Sequence, residues 1–199
     1  PLGFMTMTYH KARGEPYPYS EHMHLWGQGV HELDTMCAIA GRPVESVMGR
    51  SVQPVWSTWP SESLAEALIT FGPRPDRPSS ADRVYGTYVG TSDARAPGYS
   101  FRLECADAAL VAARGGGNIQ AVRGKETEVI PLDDLGYAST DQHLAQLFHR
   151  AIATGEEPET SGRRNLATMR LLDAIIRSGE TGQAIPLAGR PAPADRPAT

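Results

Sequence analysis

Gly27-Gln28-Gly29-Val30-His31-Glu32-Leu33-Asp34, running through an apolar stretch to Gly41-Arg42-Pro43, decides how this chain is read. Val30, Leu33, Cys37 and Ala40 recur at helical spacing, which predicts a helix over residues 29–40. Gly41 suits the left-handed position after a helix, and Pro43 stops the run. His31 and Asp34 stand three residues apart and so share one helix face. Gly27 and Gly29 let another backbone or a flat ligand come close. A helix N-terminus also offers N–H groups to an anionic or carbonyl group. The segment therefore has the ingredients for proton chemistry.

Outward from this helix the chain alternates short strands with loops. Residues 4–10 alternate Phe and Met with Thr and predict a strand, followed by a Pro-, Gly- and Tyr-rich loop over 12–21. Residues 44–52 predict a second strand, and 54–62, with Trp56 and Trp59, a loop. Residues 64–71 are ambiguous by periodicity, their Ala, Leu and Glu favouring helix. After a Pro/Arg/Ser loop over 73–82, strands are expected at 84–91, 99–105, 109–113, 118–123 and 126–131, with Gly115-Gly116-Gly117 as a hairpin turn. In 99–105, Tyr99, Phe101, Leu103 and Cys105 point one way and Ser100, Arg102 and Glu104 the other. A helix over 140–154 carries Leu144, Leu147, Phe148, Ala151 and Ile152 on one stripe, with Ser139 and Gln142 spaced for a capping box. The last helix, 164–178, is polar only along Arg170, Asp173 and Arg177 and should be deeply packed. A short strand over 183–187 closes the domain at 1–187, and the Pro/Ala-rich 188–199 should be a disordered tail. Three helices and seven or more mostly hairpin-connected strands give an α+β class: a largely antiparallel or mixed open-faced sheet with helices on one face. A sheet face left uncovered by helices would need a cover.

At 199 residues, 40% apolar and 21% charged, the chain is one ordinary domain with a real core. Its net charge of −4 and the lack of a basic, aromatic-interleaved stripe argue against nucleic acid. No run of about 18 apolar residues is present to span a membrane. Cys37 and Cys105, in apolar surroundings, read as buried thiols in a reducing, cytoplasmic compartment.

The stretch WGQGVHELDTMCAIAGRPVESV, residues 26–47, resembles the motif that opens the second domain of the Gfo/Idh/MocA oxidoreductases, the family of glucose–fructose oxidoreductase and inositol dehydrogenase. The family pattern is roughly Asp-x-Gly-x-His-x-x-Asp, then a helix ending at Gly, then a strand. Gly29, His31, Asp34 and Gly41 match it, and the first Asp falls on Gly27. Residues 155–187, GEEPETSGRRNLATMRLLDAIIRSGETGQAIPL, resemble the family's closing helix and strand. The resemblance implies a strand at 64–71. It also implies an open-faced sheet whose free face meets a partner subunit, as in a homo-oligomer, or bounds the substrate pocket, and NAD or NADP bound mainly by an N-terminal dinucleotide-binding domain. No Gly-x-Gly-x-x-Gly follows an apolar strand here, so the chain reads as the second half of a longer protein, or as a relative that lost its first half.

The resemblance makes His31 the proton-transfer residue, since the matching family histidine sits at the substrate near the nicotinamide. It places Gly27 and Gly29 close to the cofactor. A glycine at 27 cannot orient a proton as the family's acid does; His24, Gln28 and Glu21 are the nearest substitutes. Asp34 can orient His31 or nearby backbone, or simply suit the helix dipole. Tyr17, Tyr19, Trp26, Trp56 and Trp59 lie in or next to loops, where aromatic rings stack on sugars or cover a sheet edge. The expected substrate is a sugar, polyol or related hydroxy or keto compound. Two alternatives stay open: a stand-alone binding or oligomerisation module, and a metal-dependent lyase or hydrolase using His22, His24 and His31, because His-x-His puts two rings on one side of an extended segment.

Overall fold

In a computed structural model, residues 1–19, 21–74, 76, 82–113, 118–131 and 140–187 are described. The expected turn at 115–117, the capping Ser139 and the tail at 188–199 lie outside them. Nine strands form one sheet: β1 (Leu2–Ala12), β2 (Val44–Val52), β3 (Leu64–Phe71), β4 (Val84–Thr91), β5 (Asp93–Cys105), β6 (Ala109–Ala113), β7 (Ile119–Arg123), β8 (Glu126–Ile130) and β9 (Ile185–Pro186). Their order is β8-β7-β6-β5-β1-β4-β3-β2-β9. The β1/β4 pair is parallel and the others are antiparallel, so the α+β class with a mixed, mostly antiparallel sheet holds.

The alternation of each strand sorts its residues between two faces. Met5 and Met7 of β1, Ala65, Ala67, Ile69 and Phe71 of β3, and Val84 and Tyr88 of β4 are buried under α1 (Val30–Ala40) and α3 (Gly162–Thr181). Leu33, Met36 and Ala40 of α1, with Leu171, Leu172 and Ile175 of α3, complete this core. Strand β3 is where helix propensity fails. Its buried and less buried positions alternate, and packing between β2 and β4 overrides the preference of Ala, Leu and Glu. The opposite face stays open and exposes Phe4, Met48, Leu68 and Tyr85.

The helices depart from expectation in two places. The first begins earlier than residue 29: helical backbone starts at Met23, and a π-helical turn over Leu25–Gly29 runs directly into α1. The glycines read as a helix start lie inside it. Gly41 closes α1 in the left-handed conformation (φ 61), as expected. α2 (Thr140–Thr154) buries none of its residues, leaving Leu144, Phe148 and Ile152 exposed. A groove of about 400 Å³ opens between α1, α2 and the start of α3. α3 is buried along one side only, through Thr168, Leu171, Leu172, Ala174, Ile175 and Ser178, with Arg170, Asp173 and Arg177 outside. Both cysteines are free and half-buried, and burial, helped by Asp34, pushes the Cys37 thiol up to about 12. Among the described residues no helix is long and apolar enough to cross a membrane.

Candidate active site

The chain leaves β4 and enters β5 through Ser92 alone, passing over the end of β1. Buried Ser92 is held there by its own N–H on the Ser63 carbonyl and by the Arg13 N–H on its carbonyl. Below this crossing runs the helical segment from Met23. His22, in the left-handed region (φ 49), turns the chain into it. Glu62 secures the entry: its carboxylate accepts the His22 N–H (2.8 Å) and its carbonyl the His24 N–H (3.1 Å). The Trp26 N–H goes to the His22 carbonyl. These leading N–H groups are therefore already bonded within the protein and are not open to an anion, contrary to the reading of a free N-terminus at Gly27–Gly29.

Along this segment lies a continuous hydrogen-bonded chain. His24 is fully buried, with Nδ1 2.8 Å from Ser92 Oγ and Nε2 2.7 Å from Tyr88 Oη. Tyr88 Oη in turn donates to Glu32 Oε2 (3.5 Å), so the hydroxyl joins His24 to Glu32. Glu32 Oε1 accepts from Gln28 Nε2 (2.7 Å). Gln28 Oε1 accepts from Lys11 Nζ (2.9 Å) and Tyr17 Oη (3.1 Å), and Lys11 Nζ reaches Tyr17 Oη at 3.3 Å. The chain thus crosses from a fully buried histidine to a half-buried ammonium.

Burial sets the charges of this chain. It pushes the Glu32 carboxyl up to about 7 against the hydrogen bonds and the Lys11 charge that favour ionisation. It lowers His24 to about 3, assisted by His10 and Lys11, so His24 is neutral at physiological pH. Tyr88 is raised well above its ordinary value by burial and then by Glu32. The two larger shifts act on stability in opposite directions. Glu32 is raised, so its contribution is complete below 4.5 and is lost as pH rises through about 7. His24 is lowered, so its contribution is complete above 6.5 and is lost as pH falls through about 3. Glu32→Gln removes only the first. Relative to the wild type, this variant should gain on the order of 3 kcal/mol of stability between about pH 4.5 and about pH 7.5, read from urea melts. A difference independent of pH would show that Glu32 is not held neutral.

Three glycines make this packing possible. A Cβ on Gly90 would overlap Tyr88 Oη and His24 Nε2, and one on Gly29 would come within 3.2 Å of Tyr88 Oη. A Cβ on Gly27 would overlap the Tyr17 ring. The flat group that approaches Gly27 is thus Tyr17 of the same chain, and Gly29 faces the interior.

His31 is exposed on the outer side of α1, in its first turn. Asp34, also exposed, accepts from Thr168 Oγ1 of α3 (2.7 Å) and so ties α1 to α3 rather than orienting His31. Tyr17 packs edge-on against Trp59 (5.8 Å between centroids) and beside Tyr19 (6.4 Å). Trp26 packs against the core. The three histidines do not converge: His22 lies 3.7 Å from Glu62, His24 is engaged at both nitrogens, and His31 is outside. Among the described residues no group of three His, Cys, Asp or Glu side chains could hold a metal ion, so the metal-dependent alternative lacks its ligands. Sequence reasoning missed Lys11, Glu32, Tyr88, Gly90 and Ser92. Only the Gln28/Glu32 spacing of four could have pointed to any of them.

No protein-family model and no curated protein sequence matches the chain. Solved structures do match. An oxidoreductase from Agrobacterium radiobacter, in complex with NAD+, L-tartaric acid and magnesium, superposes with a TM-score of 0.72 at 16% identity, over 94% of this chain and 57% of that one. Levoglucosan dehydrogenase in complex with NADH and L-sorbose gives 0.67 at 15%, over 96% and 58%. UDP-N-acetylglucosamine 3-dehydrogenase from Acidithiobacillus ferrooxidans gives 0.65 at 14%, over 89% and 53%. This chain therefore has a fold contained in all three oxidoreductases, and it spans little more than half the length of each.

Proposed function

We propose that this chain, sharing its fold with part of several NAD-binding oxidoreductases, is the substrate-binding half of a Gfo/Idh/MocA-type enzyme acting on a sugar, polyol or related hydroxy or keto compound. The observation that carries this is the exposed His31 on the first turn of α1, within a fold matched over 94% of the chain by an NAD+-bound oxidoreductase. His31 takes the proton of the substrate hydroxyl in oxidation and returns it in reduction. Tyr17, Tyr19, Gln28 and Trp26 shape the neighbouring wall, and the buried chain from His24 to Lys11 fixes the helix that carries His31. A bound nicotinamide supplies the hydride acceptor.

The described residues do not fit the rest of that cofactor. The leading N–H groups of the helical segment are bonded to Glu62 and His22, and no glycine-rich strand–turn–helix is present among them. Pyrophosphate binding is assigned to a separate N-terminal domain. The open sheet face, with Phe4, Met48, Leu68 and Tyr85 exposed, is the surface for a second copy. The two free cysteines fit a cytoplasmic location. A stand-alone module is favoured by one observation, the glycine at 27 where the family pattern has an acid.

Calorimetry separates these readings. The isolated chain should show no measurable binding of NADH or NADPH, whereas a gene product carrying the dinucleotide domain should bind one of them and transfer hydride. Tight binding by the isolated chain, or a complete gene product without such a domain, would overturn the half-enzyme reading.

A further inference from the structure

At the end of β1 stand two cations that no acid among the described residues neutralises. Lys11 is half-buried, and its hydrogen-bond partners, Gln28 Oε1 and Tyr17 Oη, are both neutral. They engage two of its three N–H donors. The Arg13 guanidinium lies over the Tyr17 ring, 4.2 Å from its centroid, and donates from Nε to the Glu15 carbonyl (2.6 Å). Among the described residues neither cation takes part in an ion pair. The nearest buried acid, Glu32, is separated from Lys11 by the whole Gln28 amide, and burial favours its neutral form. A half-desolvated ammonium is costly without a counter-charge. The protein holds this one in place through two hydrogen bonds and, among the described residues, supplies no anion.

The location relative to His31 follows from the helix. Tyr17, which bonds Lys11 and carries Arg13 on its ring, lies against Gly27, four residues before His31. Four residues make about one turn, a separation of roughly 5–6 Å along the axis. That is about the length of a short polyol chain.

We propose that Lys11, supported by Arg13 and Tyr17, is an anion-recognition subsite one turn from His31, so that the substrate is a polyhydroxy compound bearing a carboxylate or a phosphate ester. The assignment rests on the reading of His31 as the reacting end of the site. The anionic end of the substrate bonds the free Lys11 donor and the remaining Arg13 N–H groups, and its hydroxyl-bearing carbon reaches His31.

The test is calorimetric titration of the chain with D-gluconate, glucose 6-phosphate and, as the uncharged control, D-glucitol. At least one anion should bind about tenfold or more tighter than glucitol, with gluconate and the phosphate ester distinguishing the two sources of charge. Lys11→Met should abolish that preference, while Lys11→Arg should keep most of it. Thermal melts of both variants confirm folding. Equal binding of all three compounds, binding of neither anion, or a preference that survives in Lys11→Met overturns the subsite. Failure of the oxidoreductase reading looks different: an anion preference that depends on Lys11, in a complete gene product without nicotinamide-dependent turnover. Turnover of neutral polyols with no anion preference rejects the subsite and leaves that reading standing.

Discussion

His31→Ala in the complete enzyme should lower turnover by about a hundredfold or more, while the fold is untouched. The size is that of removing one positioned acid–base group. The structural part of the expectation comes from exposure: the ring lies on the outer side of α1 and takes no part in the core or in the buried hydrogen-bonded chain. Its removal leaves no cavity and no orphaned buried partner. The loss should therefore appear in kcat, with melting temperature unchanged. Asp34→Asn is the matched control on the same face, because Asp34 bonds Thr168 and not His31. It should affect stability more than turnover. Steady-state kinetics with a nicotinamide readout decides the point, and full activity of a folded His31→Ala protein would remove His31 from the chemistry.

Gly90→Ala should destabilise the chain by about 3–5 kcal/mol, the combined cost of overpacking and of breaking buried hydrogen bonds. The added carbon collides with Tyr88 Oη and His24 Nε2, both in the fully buried part of the chain. Neither side chain has room to withdraw: Tyr88 is 0% exposed, and His24 is tethered at both nitrogens. The melting temperature should fall by roughly 10 °C. Gly86→Ala, four residues earlier on the same strand face, is the informative comparison. There the new carbon meets the terminal methyl of Met36 first, and a methionine end can swing aside. Its cost should be clearly smaller. Equal melting curves for the two variants would mean that the His24–Tyr88 contact does not hold the core together.

Much of this fold is legible in the sequence because strands advertise themselves by alternation. Residues 99–105 sort correctly, Phe101 falling opposite Met7 and Leu103 opposite Met5. β3 is read correctly only through the family resemblance, since sheet burial reverses the preference of its residues. The start of the first helix is misread because glycines look like punctuation. Here they are interior positions of a wide turn, needed for the Tyr17 ring and the Tyr88 hydroxyl. The site divides along the same line. His31, Asp34, Gln28 and Tyr17 stand out through local spacing or composition. His24, which His-x-His presents as a metal ligand, is a hydrogen-bonded core residue. Its partners Tyr88 and Ser92 lie 64 and 68 positions away, where local pattern carries no information.

The position of β1 has a further consequence, for the order in which the molecule can assemble. The earliest of these nine strands to be synthesised is also the centre of the sheet, flanked by β4 and β5 and touching neither β2 nor β3 along its ladder. Its backbone partners do not exist until residues 84–105 have been synthesised. Until then Met5 and Met7 have no neighbouring strands to cover them. A nascent chain of this topology must carry β1 unpaired until β4 and β5 have followed it, which favours slow, late closure and early chaperone contact.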